Sequence, residues 1–190
     1  MIYTIKTTDE FDNNTLERIY GLLCEKQKDY VDKKTNEKRK QSLCVRAALA
    51  EMLGEEVVPY IDMTESGKLL NLPDGRFISF SHSGKFVAAA CSHRPIGIDI
   101  QIFKSVKDRT IRRICTDREA EYIKKNGKIS FFDIWTVKEA FIKCFGVSFI
   151  AAKNLSVVFE DKIQISNCEY LRILEDKYCC SILISDISAD

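Results

Sequence analysis

The sequence predicts an α+β protein of two similar halves, each with helices packed on a small antiparallel sheet. Three observations carry this expectation. Helical and strand-like textures follow one another as helices, strands, helices, strands along the 190 residues. The chain is 45% apolar with only three prolines and eight glycines, a composition that builds a core rather than a disordered coil. No stretch rich in Pro, Gly or Ser separates the two runs, so halves at 1–98 and 99–190 should form one compact body.

Each element has its own signal. TLERIYGLLCEKQKDY (15–30) reads as a helix with Gly21 as its weak point. SLCVRAALAEMLG (42–54) places Leu43, Ala47, Ala50 and Leu53 at helical steps, with Gly54 as the stop. RFISFSHS, FVAAACS and PIGIDIQ are short, apolar or alternating runs separated by the turn signals SGK and HRP, as in an antiparallel meander. DREAEYIKK reads as a helix capped by Thr116 or Asp117. SFFDIWTVKEAFIKCFG is a stronger one, with Ser130 as cap, Asp133 in its first turn and Gly146 as stop. LSVVFED, KIQIS, YLRILE and YCCSILIS close the chain as short strands.

Charge and cysteine usage narrow the function classes. Twenty-nine basic against 28 acidic residues leave a net charge of +1, which gives no ground for general nucleic-acid binding. No apolar run is long enough to span a membrane, and MIYTIKTTDE lacks a signal peptide's apolar segment. The expectation is a cytoplasmic protein whose eight cysteines, none in a C-x-x-C pair, are reduced core residues. Charge is nonetheless uneven: residues 26–40 hold seven Lys/Arg against three Asp/Glu, a local +4 that reads as a solvated face or as an arm for phosphates.

Four features carry candidate chemistry. In GIDIQ (97–101), a strand projects Asp99 and Gln101 from one face and Ile98 and Ile100 from the other. On the helix 131–146, Trp135, Glu139 and Lys143 lie at i, i+4 and i+8, with Lys138 at the edge of that face. The opposite side of this helix is apolar too, so it should be buried, and its charges then need partners. SFSHSGK (79–85) places Ser81, His82 and Lys85 in a donor-rich turn suited to an anion. SGK (66–68) is a turn ending in a lysine.

Taken together these features resemble the 4′-phosphopantetheinyl transferases of the surfactin-synthetase-activating type. PIGIDIQ is similar to that family's W/I-G-I-D-I/V-E motif. FFDIWTVKEAFIKCFG is similar to its later F-x-x-x-W-x-x-K-E-A-x-x-K-x-x-G motif. SFSHSG is similar to N-I-S-H-S-G, and SGK to a G-K-P turn with Leu69 in place of proline. EK at 25–26 and KQSL at 40–43 fit the basic arm and an R-x-S/T-L element, so the resemblance covers roughly residues 20–160.

The resemblance implies a pseudo-twofold monomer with its active site between the halves. It would transfer the phosphopantetheine arm of coenzyme A to a serine of an acyl or peptidyl carrier protein, with Mg²⁺ as cofactor and 3′,5′-ADP as the leaving product. It implies Asp99, Gln101 and Glu139 as metal ligands, and Glu139, Lys143 and Asp99 as the catalytic set. Coenzyme A contacts would come from Lys26, Lys40, Ser42, Lys68, Ser81, His82, Lys138 and Lys143. No nucleic acid or membrane partner is expected. Two departures stand out. Gln101 occupies a position that is commonly Glu, and an amide oxygen brings no charge to a Mg²⁺ site. GVSF (146–149) replaces the usual G-x-G-L, which implies a different loop. Gln101 keeps open an alternative, a catalytically impaired coenzyme A-binding regulatory protein. A basic nucleic-acid module resting on residues 26–40 is disfavoured, because Tyr30 is the sole aromatic there.

Overall fold

The structure is a computed structural model, which describes residues 1–61 and 70–186. The first half runs β1 (Ile2–Thr7), α1 (Asn13–Gly21), α2 (Glu25–Asp32), α3 (Asn36–Leu53), β2 (Leu70–Asn71), β3 (Phe77–Ser83) and β4 (Phe86–Ser92). The second runs β5 (Ile96–Ile102), α4 (Asp108–Ile114), α5 (Asp117–Asn126), α6 (Ser130–Phe145), α7 (Phe149–Asn154), β6 (Val158–Phe159), β7 (Lys162–Ile163), β8 (Cys168–Leu174) and β9 (Tyr178–Ser185). Strands pair antiparallel in two main sheets, ordered β1-β4-β3-β2 and β5-β9-β8, with β6 and β7 as a separate ribbon. The α+β class and the helices-on-sheet halves are as the sequence predicts.

Alternation along the strands builds three apolar layers. In β4, Val87, Ala89 and Cys91 face α3, where they join Leu43, Val45 and Leu49 in the first core. Ala88 and Ala90 face the other way, against Ile96, Ile98 and Ile100 of β5 and Cys180, Ile182 and Ile184 of β9. Alanines on that face let the two sheets approach closely. The third layer packs Ile134, Val137 and Ala140 of α6 over Cys179 and Leu183 of β9. Each fully buried isoleucine contributes about 1.5–3 kcal/mol, so the middle layer helps to hold the halves together.

Three expectations need correcting. The meander does not continue into β5: β3 and β4 pair as a hairpin, but β5 crosses to the second sheet and pairs with β9. A division between residues 98 and 99 would cut β5, which lies whole in that sheet; the chain changes sheets at residues 93–95. The helix expected over 15–30 is two helices, because Gly21 ends α1 and Cys24 begins α2. Gln27 locks the break: its Oε1 accepts from the Cys24 amide at 3.1 Å. Its amide nitrogen donates to the Val58, Pro59 and Ile61 carbonyls at 3.3, 3.1 and 2.9 Å. β1, α4 and α7 were not foreseen.

One residue sets how close α6 comes to the second sheet. A Cβ on Gly97 would lie 1.8 Å from the Ala140 carbonyl oxygen and 2.7 Å from the Cys144 nitrogen, both backbone atoms of α6. Only a residue without a side chain fits there. Gly97→Ala is expected to cost about 2 kcal/mol or more in urea denaturation, since backbone must move. Gly21→Ala, whose Cβ meets nothing within 4 Å, should instead raise stability by about 0.5–1 kcal/mol.

Candidate functional site

β5 is an edge strand of its sheet, paired only on the β9 side. Its other side meets β3, whose alternation S-F-S-H-S presents Ser79, Ser81 and Ser83 on one face. The Ile98 amide donates to Ser79 Oγ at 3.0 Å and the Ile102 amide to Ser83 Oγ at 3.1 Å. Ser81 Oγ donates to Asp99 Oδ1 at 2.7 Å. Gln101 Nε2 donates to Ser83 Oγ at 2.7 Å, which fixes the direction of its amide. The sequence reading singled out Ser81 alone; the period-two repeat of serines was the signal for its two neighbours.

The opposite wall is α6. Asp99, Ser181 and Arg172 are register neighbours on β5, β9 and β8. Each meets α6. Lys143 Nζ donates to Asp99 Oδ1 at 2.7 Å and to the Ile98 carbonyl at 2.9 Å. Thr136 Oγ1 and Ser181 Oγ share a hydrogen at 2.8 Å. Arg172 donates to both Asp133 oxygens at 2.8 Å. Three polar contacts on three strands fix the rotation of α6, and so the direction of Glu139. Burial pushes the Glu139 carboxyl above the ordinary carboxylate range, and the Asp99 charge adds to it, while Lys143 opposes. The two carboxylates therefore act on each other across the seam between a strand and a helix.

His82 is exposed on the other face of β3 from Ser81. Crowding by protein atoms first, then the positive field of Lys143 and Lys34, hold its ring below the ordinary imidazole range. Lys38 acts in the same direction and Asp99 against it. The positive field of the basic arm thus acts on His82 through Lys34 and Lys38, which the sequence reading did not name. Lys34 also lies 4.0 Å from the centre of the Tyr30 ring. Lys26 and Lys40 are exposed, Lys40 at 3.7 Å from Asp9. Lys68 lies outside the described residues.

Two expected contacts turn inward. Lys138 is fully buried and pairs with the equally buried Glu119 at 2.7 Å. It also donates to the Ile114 and Lys153 carbonyls at 3.2 and 3.0 Å. Glu119 accepts in addition from the Thr116 and Val157 amides at 2.8 and 2.9 Å. Lys138 is therefore a correction to the ligand set: one helical step from Glu139 rotates it by about 100° into the core. Ser42 is likewise buried within α3, where Arg46 donates to its Oγ at 2.7 Å. The altered GVSF segment holds a left-handed Gly146 and a Ser148 that caps α7, whose Phe149 ring sits 6.0 Å from Trp135.

Among the described residues, no three His, Cys, Asp or Glu side chains gather as a metal cluster. The candidate donors are two carboxylates and the Gln101 amide oxygen. That set suits a hard cation, and the mutual repulsion of Asp99 and Glu139 is what a cation would relieve. The Lys143 ammonium offsets part of that charge. The neighbouring lysines act on His82 as a positive field suited to phosphate oxygens, and the neutral His82 ring can donate to them. No helix among the described residues is long and apolar enough to cross a membrane.

Residues 95–187, which carry Asp99, Glu139 and Lys143, match the 4′-phosphopantetheinyl transferase superfamily. The chain is similar to the 4′-phosphopantetheinyl transferase gsp of Aneurinibacillus migulanus, 32% identical over 36% of this chain and 30% of that one. It is similar to the 4′-phosphopantetheinyl transferase Sfp of Bacillus subtilis (strain 168), 35% identical over 38% and 34%. Psf-1 of Bacillus pumilus is 31% identical over 54% and 46%. The matches thus span less than half the length of these relatives.

Two outcomes test the site's electrostatics. Lys138→Met should cost about 3–5 kcal/mol in chemical denaturation by stranding a buried Glu119, and Lys138→Met with Glu119→Leu should recover most of it. Glu139 binds its proton more tightly folded than unfolded, so its contribution falls as pH rises above about 4.3, the unfolded value. Glu139→Gln should accordingly gain stability relative to wild type on going from pH 4 to pH 7. A constant difference would contradict the raised carboxyl.

Proposed function

We propose that this chain transfers the 4′-phosphopantetheine arm of coenzyme A to a serine of an acyl or peptidyl carrier protein, releasing 3′,5′-ADP. The observation that carries the reading is the Asp99–Glu139 carboxylate pair, split between β5 and α6, with the Lys143 ammonium on Asp99. The superfamily match over residues 95–187 supports it. Both walls come from one chain, which suits action as a monomer.

The roles follow from charge and position. Asp99, Gln101 and Glu139 would hold Mg²⁺, which would supply neutralisation of the pyrophosphate oxygens. Ser81 and Lys143 keep Asp99 in place from two sides, so its carboxylate has little freedom to lose. Lys143 also carries an ammonium on Asp99 and would stabilise negative charge as the bridging pyrophosphate oxygen departs with 3′,5′-ADP. Lys34 and Lys38 would supply positive charge for the outer phosphates and the neutral His82 ring a hydrogen-bond donor, with Lys26 and Lys40 further along the arm. Glu139 would also accept the proton of the attacking serine.

The reading is tested by incubating an apo carrier protein with coenzyme A, Mg²⁺ and this protein, and following carrier mass. A phosphopantetheine adduct is expected on at least one member of a carrier panel. Asp99→Ala and Glu139→Gln should each lower the rate by about 10²-fold or more with the circular dichroism unchanged. Binding of coenzyme A without any adduct would instead select the regulatory alternative, for which the uncharged Gln101 is the supporting observation.

A further inference from the structure

Two of the serines that β3 turns toward β5 bind its side chains, and they do so in opposite senses. Ser81 Oγ donates to Asp99 Oδ1 at 2.7 Å. Ser83 Oγ, two residues on, accepts from Gln101 Nε2 at 2.7 Å and from the Ile102 amide at 3.1 Å. A hydroxyl can donate or accept, so Ser83 by itself would suit either orientation of the Gln101 amide. The Ile102 carbonyl decides between them. Gln101 Nε2 donates to it at 3.3 Å, and a reversed amide would set two acceptor oxygens against each other.

Ser83 is itself held in place. It is buried at the end of β3. The next residue, Gly84, takes a left-handed φ of 56°, and a Cβ there would lie 3.0 Å from the Ile102 side chain, so the turn sits directly on Ile102. Gln41 of α3, also buried, donates its amide nitrogen to the Gly84 carbonyl at 2.7 Å. The Thr8 amide, just after β1, donates to the Lys85 carbonyl at 2.7 Å. The hydroxyl therefore stands on a turn fixed from three sides.

The other end of each side chain is uncommitted. Both bonds from the Gln101 amide leave through Nε2, and Oε1 accepts no hydrogen bond among the described residues. Ser81 and Lys143 both bind Asp99 through Oδ1, and Oδ2 has no hydrogen bond among the described residues. Asp99 and Gln101 project from the same face of β5, so each offers one oxygen there.

We propose that Ser83 is a positioning residue of the cation site, which with the Ile102 carbonyl turns the Gln101 amide so that Oε1 is offered beside Asp99. The proposal rests on the reading of Asp99, Gln101 and Glu139 as Mg²⁺ ligands. An amide oxygen ligates a hard cation, whereas the NH₂ end of the same group has no lone pair to give. A glutamine free to turn would spend part of its time with the wrong end forward and would lose that freedom on binding. The bond to Ser83 removes both losses before the cation arrives. Orientation by a neighbour thus makes up for part of the charge that Gln101 does not bring.

The test is a titration of Mg²⁺ into the protein with coenzyme A present and no carrier, followed by side-chain NMR. Before Mg²⁺ is added, the Gln101 NH₂ protons should show contacts to the Ser83 β-protons. On titration the Gln101 carboxamide carbon should shift together with the Asp99 and Glu139 carboxyl carbons. Ser83→Ala should weaken Mg²⁺ by about tenfold, and Ser83→Thr, which keeps the hydroxyl, should bind as wild type does. Ser83 also holds the Ile102 amide, so Ser83→Ala is repeated on a Gln101→Ala background, where no further loss is expected. An additive loss there would show Ser83 acting through the β5 backbone and would overturn the proposal, as would equal Mg²⁺ affinity of Ser83→Ala and wild type. Shifts at Asp99 and Glu139 without one at Gln101 would overturn it and leave the carboxylate reading standing. No shift at any of the three would remove that reading and the proposal with it. The wild-type signals decide the matter even where a variant folds poorly.

Discussion

The free edge of β5 is the constraint on which the rest depends. An edge strand buried between two halves leaves backbone groups that must find partners or cost the fold dearly. Here the partners are not another strand. They are two serine hydroxyls of β3, which accept from Ile98 and Ile102, and the Lys143 ammonium, which donates to the Ile98 carbonyl. Because those partners are side chains, the seam stays polar and leaves room for Asp99 to stand in it. A regular β3–β5 ladder would have closed the same space with backbone.

The second sheet and α6 extend this logic. The row Asp99, Ser181 and Arg172 gives α6 a polar track on an otherwise apolar face, matched by Lys143, Thr136 and Asp133. Gly97 lets the helix backbone come down onto the strand at one end of that track. A buried ion pair, Lys138 with Glu119, ties the other side of α6 to α5 and to the chain before β6. Such pairs rarely add net stability over an apolar core, but breaking one is costly, so they fix position. The helix is held in rotation from both sides, and the position of Glu139 follows from that.

Much of this was legible in the residues. Asp99 and Glu139 stood out because carboxylates within apolar runs demand a reason, and Gly146 and Thr116 behave as their cap signals indicate. What was not legible depended on tertiary context. The turn HRP looks the same whether the next strand pairs with β4 or leaves for another sheet, and only the position of β9 decides. Lys138 and Lys143 are both lysines near Glu139, yet one faces Glu119 and the other Asp99. That difference rests on which side of α6 the sheet lies, which periodicity does not report when both sides are apolar. β1 was missed because Ile2 and Tyr3 are exposed at the sheet edge and its pattern lacks a clean alternation.

The central claim is that the halves are one cooperative body stitched along β5 by side chains of β3. Residue-resolved amide hydrogen exchange by NMR tests this most directly, at Ile98 and Ile102. If the claim is right, both amides exchange as slowly as those of β9 and only through global unfolding, although each is bonded to a side chain and not to strand backbone. Exchange of these two by local opening, while the β9 amides stay protected, would mean that the halves part without unfolding and would contradict the account.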